Sequence, residues 1–467
     1  MLHSVLLRSV LSSLTLLSGH HPTPRAEDPG DLARRYMNVY TWAATAHARI
    51  PSFSRQTGLA CSACHTTFPQ LTAFGRAFKL NGYTLTGVQV VTAGDSGKRA
   101  TLKLDLIPAL SAMVQISVTQ TAKAQPGTQN GTVEFPQQLS LFFGQAITPQ
   151  LGAFLQLTYD PRAGGIGMDN ADIRYANHTQ ICSKPLVYGF SLNNNPTVQD
   201  VWNSVPAWGF PFAASGVAPT PAAATLLDGG LAQQVAGLGT YADLDNRLYG
   251  EFSVYRSAPQ GTPSPADSSA TNTIAGVAPY WRAFYTQQFG QQTLMIGTLG
   301  MSASLYPQGI SGLHDRFTDI AFDAQFERPV GGANLTAHAI WIHERQALDA
   351  DLAAGSATNA SNTLQTFRMD ASVYTHSMFG LTAGFFTTTG TADALRYPVG
   401  ALTGSAVGSP NSQGFIAELS ALPWQNTRFE LQYVAYNKFN GSSLNYDGFG
   451  RNAGHNNTIY FLSWVAF

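Results

Sequence analysis

The chain has 467 residues, a net charge of -1 and only 11% charged residues, where ordinary soluble domains carry about 25%. Its mean hydropathy is nevertheless only -0.05, a pairing that arises when each apolar residue is averaged against a polar neighbour, as in alternating strands. A pI near 6.8 with no basic patch argues against a nucleic-acid partner. Beyond the leader no run approaches the roughly 20 apolar residues that a spanning helix needs.

Residues 1–48 read as an export leader. Two segments fit. In the first, Arg8 precedes the apolar stretch Ser9 to Leu17. In the second, Arg34 and Arg35 precede Tyr36 to Trp42, with Ala46-His47-Ala48 as a small-residue cleavage site. Either reading exports the chain.

Residues 49–98 contain Cys61-Ser62-Ala63-Cys64-His65. Two thiols at this spacing can bond both vinyl groups of one haem, and the adjacent histidine can reach its iron from the same turn. The pattern predicts one covalently bound haem c on a small α-helical segment, with Cys61 and Cys64 as attachment points and His65 as proximal ligand. A zinc site would need two further ligands at similar spacing, and neither a second C-x-x-C nor a nearby H-x-x-x-H exists. A thioredoxin-like redox pair would need a βαβ setting that is also missing. With 3 cysteines in all, Cys182 is left alone. A disulfide framework is excluded if the pair carries haem, and Cys182 reads as an inert small residue in a short turn.

The second axial ligand is open. Between Arg49 and Ala112 there is no methionine, and no histidine other than His65. The options are Lys79, a water, a five-coordinate iron or a side chain from the rest of the chain. Met113 is the nearest such candidate in sequence, though an ordinary lumen-lining residue is the plainer reading of it. His338 is a lesser candidate.

The flanks of the motif are Ile50-Pro51-Ser52-Phe53-Ser54-Arg55-Gln56-Thr57-Gly58 before it and Phe68-Pro69-Gln70-Leu71 to Thr84 after it. This stretch resembles the fused monohaem cytochrome–porins of the bacterial outer membrane, best known from iron-oxidising bacteria. Pro51, Phe53, Arg55, Gln56 and Thr57 match that family's pre-haem pattern, as do Pro69 and Leu71 after it. Arg49 and Ser54 depart from it, each standing where the pattern has alanine. The likeness extends to Asn194-Asn195-Pro196-Thr197 and Trp202. It implies electron transfer across the outer membrane, with Fe(II) as external donor and a periplasmic electron carrier as acceptor. The matching activity would be an iron:cytochrome oxidoreductase.

Residues 99–467 read as short alternating segments. Leu102, Leu104, Leu106, Leu110, Ala112, Val114, Ile116 and Val118 share one parity; Lys103, Asp105, Ser111, Met113, Gln115, Ser117 and Thr119 share the other. The same alternation recurs around Phe252, Phe322, Met369 and Leu431. Short turns at Thr148-Pro149-Gln150, Asp243 to Asn246, Phe289 to Gln292, Val330-Gly331-Gly332 and Pro423 to Asn426 separate longer Gly-, Ser-, Pro- and Asn-rich connections. Strict short/long alternation predicts an all-β fold: a transmembrane antiparallel barrel of about 16 strands, with the cytochrome segment on the short-turn side or in the lumen. The chain ends in Phe467, as outer-membrane barrels typically do, and Trp341 and Trp464 read as interfacial girdle residues. A large soluble β-protein would show the same local alternation with the apolar face inside.

The longest connection, roughly Asn193 to Asp228, carries Trp202, Trp208, Phe210 and Phe212. It reads either as an inward loop that constricts the pore or as a self-packed surface loop. Luminal Asp319, Asp323 and Glu327 could attract Fe(II), since carboxylates suit hard divalent cations; they read also as plain polar lining. No catalytic triad, phosphate loop or acid pair stands out. Two functions follow: an electron conduit, or a diffusion porin whose haem is structural or serves another donor.

Overall fold

The computed structural model describes residues 51–85, 110–162, 164–206, 208–257, 273–307, 309, 311–375 and 378–467. The leader, Arg49, residues 86–98, Leu102 to Pro108 of the first predicted strand, most of the loop predicted over 257–272 and His376 lie outside them.

The main sheet has 17 strands, one of which is the two-residue Thr273–Ile274 lying beside Gln292–Tyr306. The other 16 go round once, each antiparallel to its chain neighbour. The last, Thr458–Ala466, pairs with the first, Leu110–Thr121, and closes the cylinder. The predicted fold and strand number are borne out. Closure leaves no sheet edge, so every strand's backbone groups find partners within the sheet, the condition for crossing hydrocarbon with strands.

The polarity is inverted relative to a soluble sandwich. Ile320 and Phe322 face outward while Asp319 and Asp323, on the same strand, are buried inside. Leu248 and Phe252 face outward while Tyr249, Glu251 and Ser253 face inward. Met369 and Val373 face out opposite Asp370 and Ser372, and Leu431 and Tyr433 face out opposite Glu430 and Gln432. An apolar outer belt with charges confined to the interior requires a non-aqueous surround. The soluble alternative is thereby excluded.

The predicted turns are all present. One of the two-residue turns, Cys182–Ser183, joins two strands with both residues at positive φ (50° and 65°), the twist that a two-residue hairpin needs. Cys182 is exposed there. The other end of the barrel carries the connections 122–131, 194–234, 307–314, 348–360, 391–411 and 439–457. One connection departs from strict alternation: on the long-loop end, Asp160 reaches Gly165 by a short turn.

Two girdle assignments need correction. Trp464 points inward and stacks on Phe68, with ring centroids 5.4 Å apart. Its strand is apolar on both faces here, because Tyr460 and Leu462 pack with Ala213 inside the barrel. Trp341 does face outward, but at mid-strand, stacked between Phe322 and His343.

A luminal wall would ordinarily be polar. Part of this one is not. Tyr255, Tyr280, Leu299, Met301 and Ile342 form an inward apolar patch covered by Val205, Leu226, Leu227 and Leu231 of the 194–234 connection. That connection therefore folds into the lumen, which decides between the two readings of it. Outward Leu419, near the middle of Ser412–Trp424, tests the belt. We expect L419R to lower the unfolding free energy in bilayers by about 2–4 kcal/mol, measured by denaturant titration of the reconstituted protein.

Candidate cofactor site

Residues 51–85 form three short helices: α1 (Ser52–Thr57), α2 (Cys61–Cys64) and α3 (Ala73–Leu80). A small hairpin, His65–Thr67 with Gln70–Leu71, links α2 to α3. Helix α2 is a single turn, so the two thiols three residues apart lie on one face. Thr72 ties the turn to α3. Its hydroxyl donates to the Ala63 carbonyl (2.6 Å) and accepts the Gly75 amide (3.1 Å). The helices pack so closely at Gly75 that a Cβ there would lie 2.2 Å from the Cys64 carbonyl oxygen. Leu59, Ala63 and Phe74 form the small core of this unit, with Cys64 and Leu85 against it.

The whole segment lies inside the barrel. Its backbone presses on the wall at Gly152, where a Cβ would meet the Gly82 carbonyl at 2.1 Å. Tyr83 donates to Asp172 (2.6 Å), Tyr241 donates to the Leu80 carbonyl (2.6 Å) and Arg428 donates to the Phe68 carbonyl (2.8 Å). Arg76 forms a bidentate pair with Glu327 (2.6 and 2.8 Å). Gly152, Glu327 and Arg428 each flank a short turn, so the segment occupies the short-turn half of the lumen. The family-like residues before the motif are wall contacts as well: Arg55 donates to the Leu110 carbonyl and Gln56 to the Gly144 carbonyl.

The 194–234 connection descends from the other end to meet it. The Arg76 guanidinium stacks 3.6 Å from the Trp202 ring centre, and Trp208 lies 5.4 Å from Phe68. The luminal acids expected to face a cation hold this loop and the plug instead. Asp323 takes Arg282 and Ser204, Asp319 accepts the Leu227 amide (2.8 Å) and Glu344, opposite Asp319 in register, accepts the Leu226 amide (2.6 Å). With Glu327 given to Arg76, each of the three acids has a partner in the loop or the plug, and of their oxygens the Asp319 Oδ1 is buried without one. Among the described residues no group of three or more His, Cys, Asp or Glu is placed to hold a metal ion.

His65 lies 5.1 Å from the Phe68 ring. Burial pulls its imidazole down to about 4, so it is neutral at pH 7 and its lone pair is available to a metal. Burial also pushes the Cys64 thiol up to about 12 and raises Cys61. Both thiols are therefore poorly ionised at neutral pH. The Nδ1 of His65 and the Nε1 of Trp208 and Trp464 are buried without hydrogen-bond partners. Buried donors are rarely orphaned. Two thiols on one turn, a neutral imidazole beside them and unpaired ring nitrogens close by together fit a large covalently held planar ligand.

Of the other predicted ligands, Lys79 is committed elsewhere: its ammonium donates to the Val198 and Asp200 carbonyls. The carbonyls of the descending loop satisfy its charge, so Lys79 is removed as a sixth ligand. Met113 faces the lumen as expected, 1% exposed, and its sulfur accepts from Gln115 (3.8 Å). His338 also faces the lumen, against Gln70 and Asp370. His343 is on the outer wall and His314 is in a long-loop connection. Arg174, which donates to Asp172 and to the Gln199 carbonyl, and Arg282 have no local sequence signal beyond inward parity, and the pairings of Arg76 and Tyr83 have none.

No known family pattern matches the chain, and no curated protein matches it. Solved structures that resemble it are barrels of bacterial outer membranes. OmpF of Salmonella typhi is 14% identical with a TM-score of 0.47, covering 77% of this chain and 97% of that one. An anion-selective porin from Comamonas acidovorans is 14% identical with a TM-score of 0.45, covering 77% and 98%. The channel DcaP of Acinetobacter baumannii is 10% identical with a TM-score of 0.43, covering 77% and 96%.

Removing one partner of a buried ion pair costs about 3–5 kcal/mol. We expect R76A to loosen the plug by that order, read as a rise in single-channel conductance and faster proteolysis of residues 51–85. The double variant R76A/E327A should recover part of the loss, since no uncompensated carboxylate remains.

Proposed function

We propose that this chain is an outer-membrane electron-transfer protein whose barrel lumen houses one haem c. Cys61 and Cys64 would hold it through thioether bonds, and His65 would bind its iron. The observation that supports this most directly is the burial of the Cys61–His65 turn in the lumen, latched to the wall on several sides. A secreted c-type segment tethered outside the barrel would need none of these latches.

When bound, haem c supplies a one-electron Fe(III)/Fe(II) couple, tuned by axial ligation and exposure. The chain's own residues do the rest. The turn of α2 and the Thr72 bond to Ala63 orient His65. Phe68, Trp208 and Trp464 exclude water on one side of the imidazole. Arg76, Tyr83 and Arg428 hold the segment at a fixed depth between the two membrane faces. Electrons do not cross hydrocarbon unaided, so a redox centre within the cylinder gives them a route. The external donor is Fe(II), reaching the barrel from the long-loop side, and the acceptor is a periplasmic carrier on the short-turn side. Iron is here a substrate and needs no resident site.

A second reading has an observation of its own. A depression of about 560 Å³ opens on the long-loop side, lined among others by Asp228, Glu344, Gln346, Arg396 and Tyr397. Such a mouth also suits solute passage through a diffusion porin with a structural haem.

Two measurements separate the readings. The conduit predicts covalent haem in the membrane fraction and its rapid reduction when purified protein meets Fe(II) in stopped flow. It predicts that C61A/C64A loses both. The porin predicts solute flux in liposomes and no Fe(II)-dependent reduction at acidic or neutral pH, a result that would end the iron reading. Absence of covalent haem would end both.

A further inference from the structure

The exposed charges on the described strands are all of one sign. Lys184, Arg256, Arg316, Arg328, Arg345 and Lys438 are exposed there, while no aspartate or glutamate of those strands is. Two of the six, Arg316 and Arg345, stand together on the outer wall at the long-loop end, the external end of outer-membrane barrels. We infer that they form a binding site for the phosphate of an anionic lipid headgroup in the leaflet on that side. This inference does not depend on the haem reading.

The register sets their depth. Phe322, Trp341 and Phe367 align across three adjacent strands on the outer wall. The next outward row toward the long loops pairs Ile320 with His343, and the row after it aligns Ser302, Thr318 and Arg345. Arg316 is one row further. Outward rows step by two residues, roughly 6–7 Å along a strand. Within a few rows the wall therefore passes from aromatic rings to hydroxyls and guanidinium groups. That is the sequence of environments from hydrocarbon to headgroup, where long basic side chains place their charge.

The two arginines also lack a counter-charge. Arg345 lies opposite Thr318, two residues from Arg316 on the same strand. Such diagonal neighbours are roughly 7–8 Å apart, close enough for two long side chains to reach one phosphate. Neither guanidinium has an ion-pair or hydrogen-bond partner among the described residues. Asp315, beside Arg316 in sequence, is buried and accepts the Ala350 and Asp351 amides. Unpaired neighbouring like charges repel, and an anion between them turns that repulsion into attraction. A guanidinium meets phosphate oxygens two at a time, and the Ser302 and Thr318 hydroxyls, 3.1 Å apart, add donors beside Arg345. A second copy of the chain fits this surface less well, because its described strands offer no exposed carboxylate.

The test uses the purified full chain in zwitterionic micelles, read by native mass spectrometry. The probes are phosphatidylglycerol, phosphatidylcholine and inorganic phosphate. The unsubstituted protein should retain phosphatidylglycerol and release phosphatidylcholine. R316Q/R345Q should bind phosphatidylglycerol roughly 30-fold more weakly, about fivefold per arginine. R256Q, at the same end but opposite Ala236, should match the unsubstituted protein. Equal retention of phosphatidylcholine, undiminished binding by R316Q/R345Q or an equal loss in R256Q overturns the site. Saturation by inorganic phosphate alone, or a second chain bound in place of lipid, overturns it too. A photoactivatable phosphatidylglycerol supplies a readout on the unsubstituted protein, should the double variant fail to fold. Its cross-links should fall within residues 315–347, and cross-links confined to other strands overturn the proposal.

Discussion

A strand in hydrocarbon has no water to satisfy its amides and carbonyls, and every feature of this molecule answers to that constraint. The sheet must close, and closure by pairing of Thr458–Ala466 with Leu110–Thr121 removes both edges. Once closed, alternate residues must be apolar on the lipid side. Charge is then admissible only in the lumen, and there it is abundant. The molecule spends that luminal charge on holding things in place. Asp323 with Arg282, Glu327 with Arg76 and Asp172 with Arg174 are pairs within or across the lumen, away from bulk water. At low local dielectric such pairs are costly to break singly.

Two inserted segments enter from opposite ends and depend on one another. Residues 51–85 come from the short-turn side, and 194–234 from the long-loop side. They meet at Arg76 over Trp202 and at Phe68 beside Trp208. The loop also buries an apolar patch on the wall, which explains why Leu299, Met301 and Ile342 stand where a water-filled pore would have polar side chains. The lumen is therefore organised as a protein core with its own packing.

This solves a size problem for residues 51–85. Some 35 residues with a core of three side chains are too few to fold alone; chains below about 40 residues usually need a metal, disulfides or a partner. The barrel wall acts as the remainder of the domain. Arg55 and Gln56, Tyr83 and the carbonyls of Phe68 and Leu80 make to the wall the contacts that a free-standing domain would make within itself.

Much of the architecture was legible in the sequence because it is set by local rules. Period-two alternation decides which face meets lipid, turn residues mark the short end, and the Cys61–Cys64–His65 spacing is one helical turn. These need only near neighbours, so strand number and polarity could be read directly, as could the placing of Cys61 and Cys64 on one helical turn. What the tertiary structure alone decided is long-range. Arg76 meets Glu327 across 251 positions, and Gln70 meets His338 across 268. No local pattern says which luminal acid takes which arginine, so Asp319, Asp323 and Glu327 read as open ligands until their partners are seen. Trp464 turned inward and Lys79 was consumed by carbonyls for the same reason. Inside a closed barrel a side chain's fate depends on what is folded into the lumen beside it, and that is fixed by packing between segments distant in sequence.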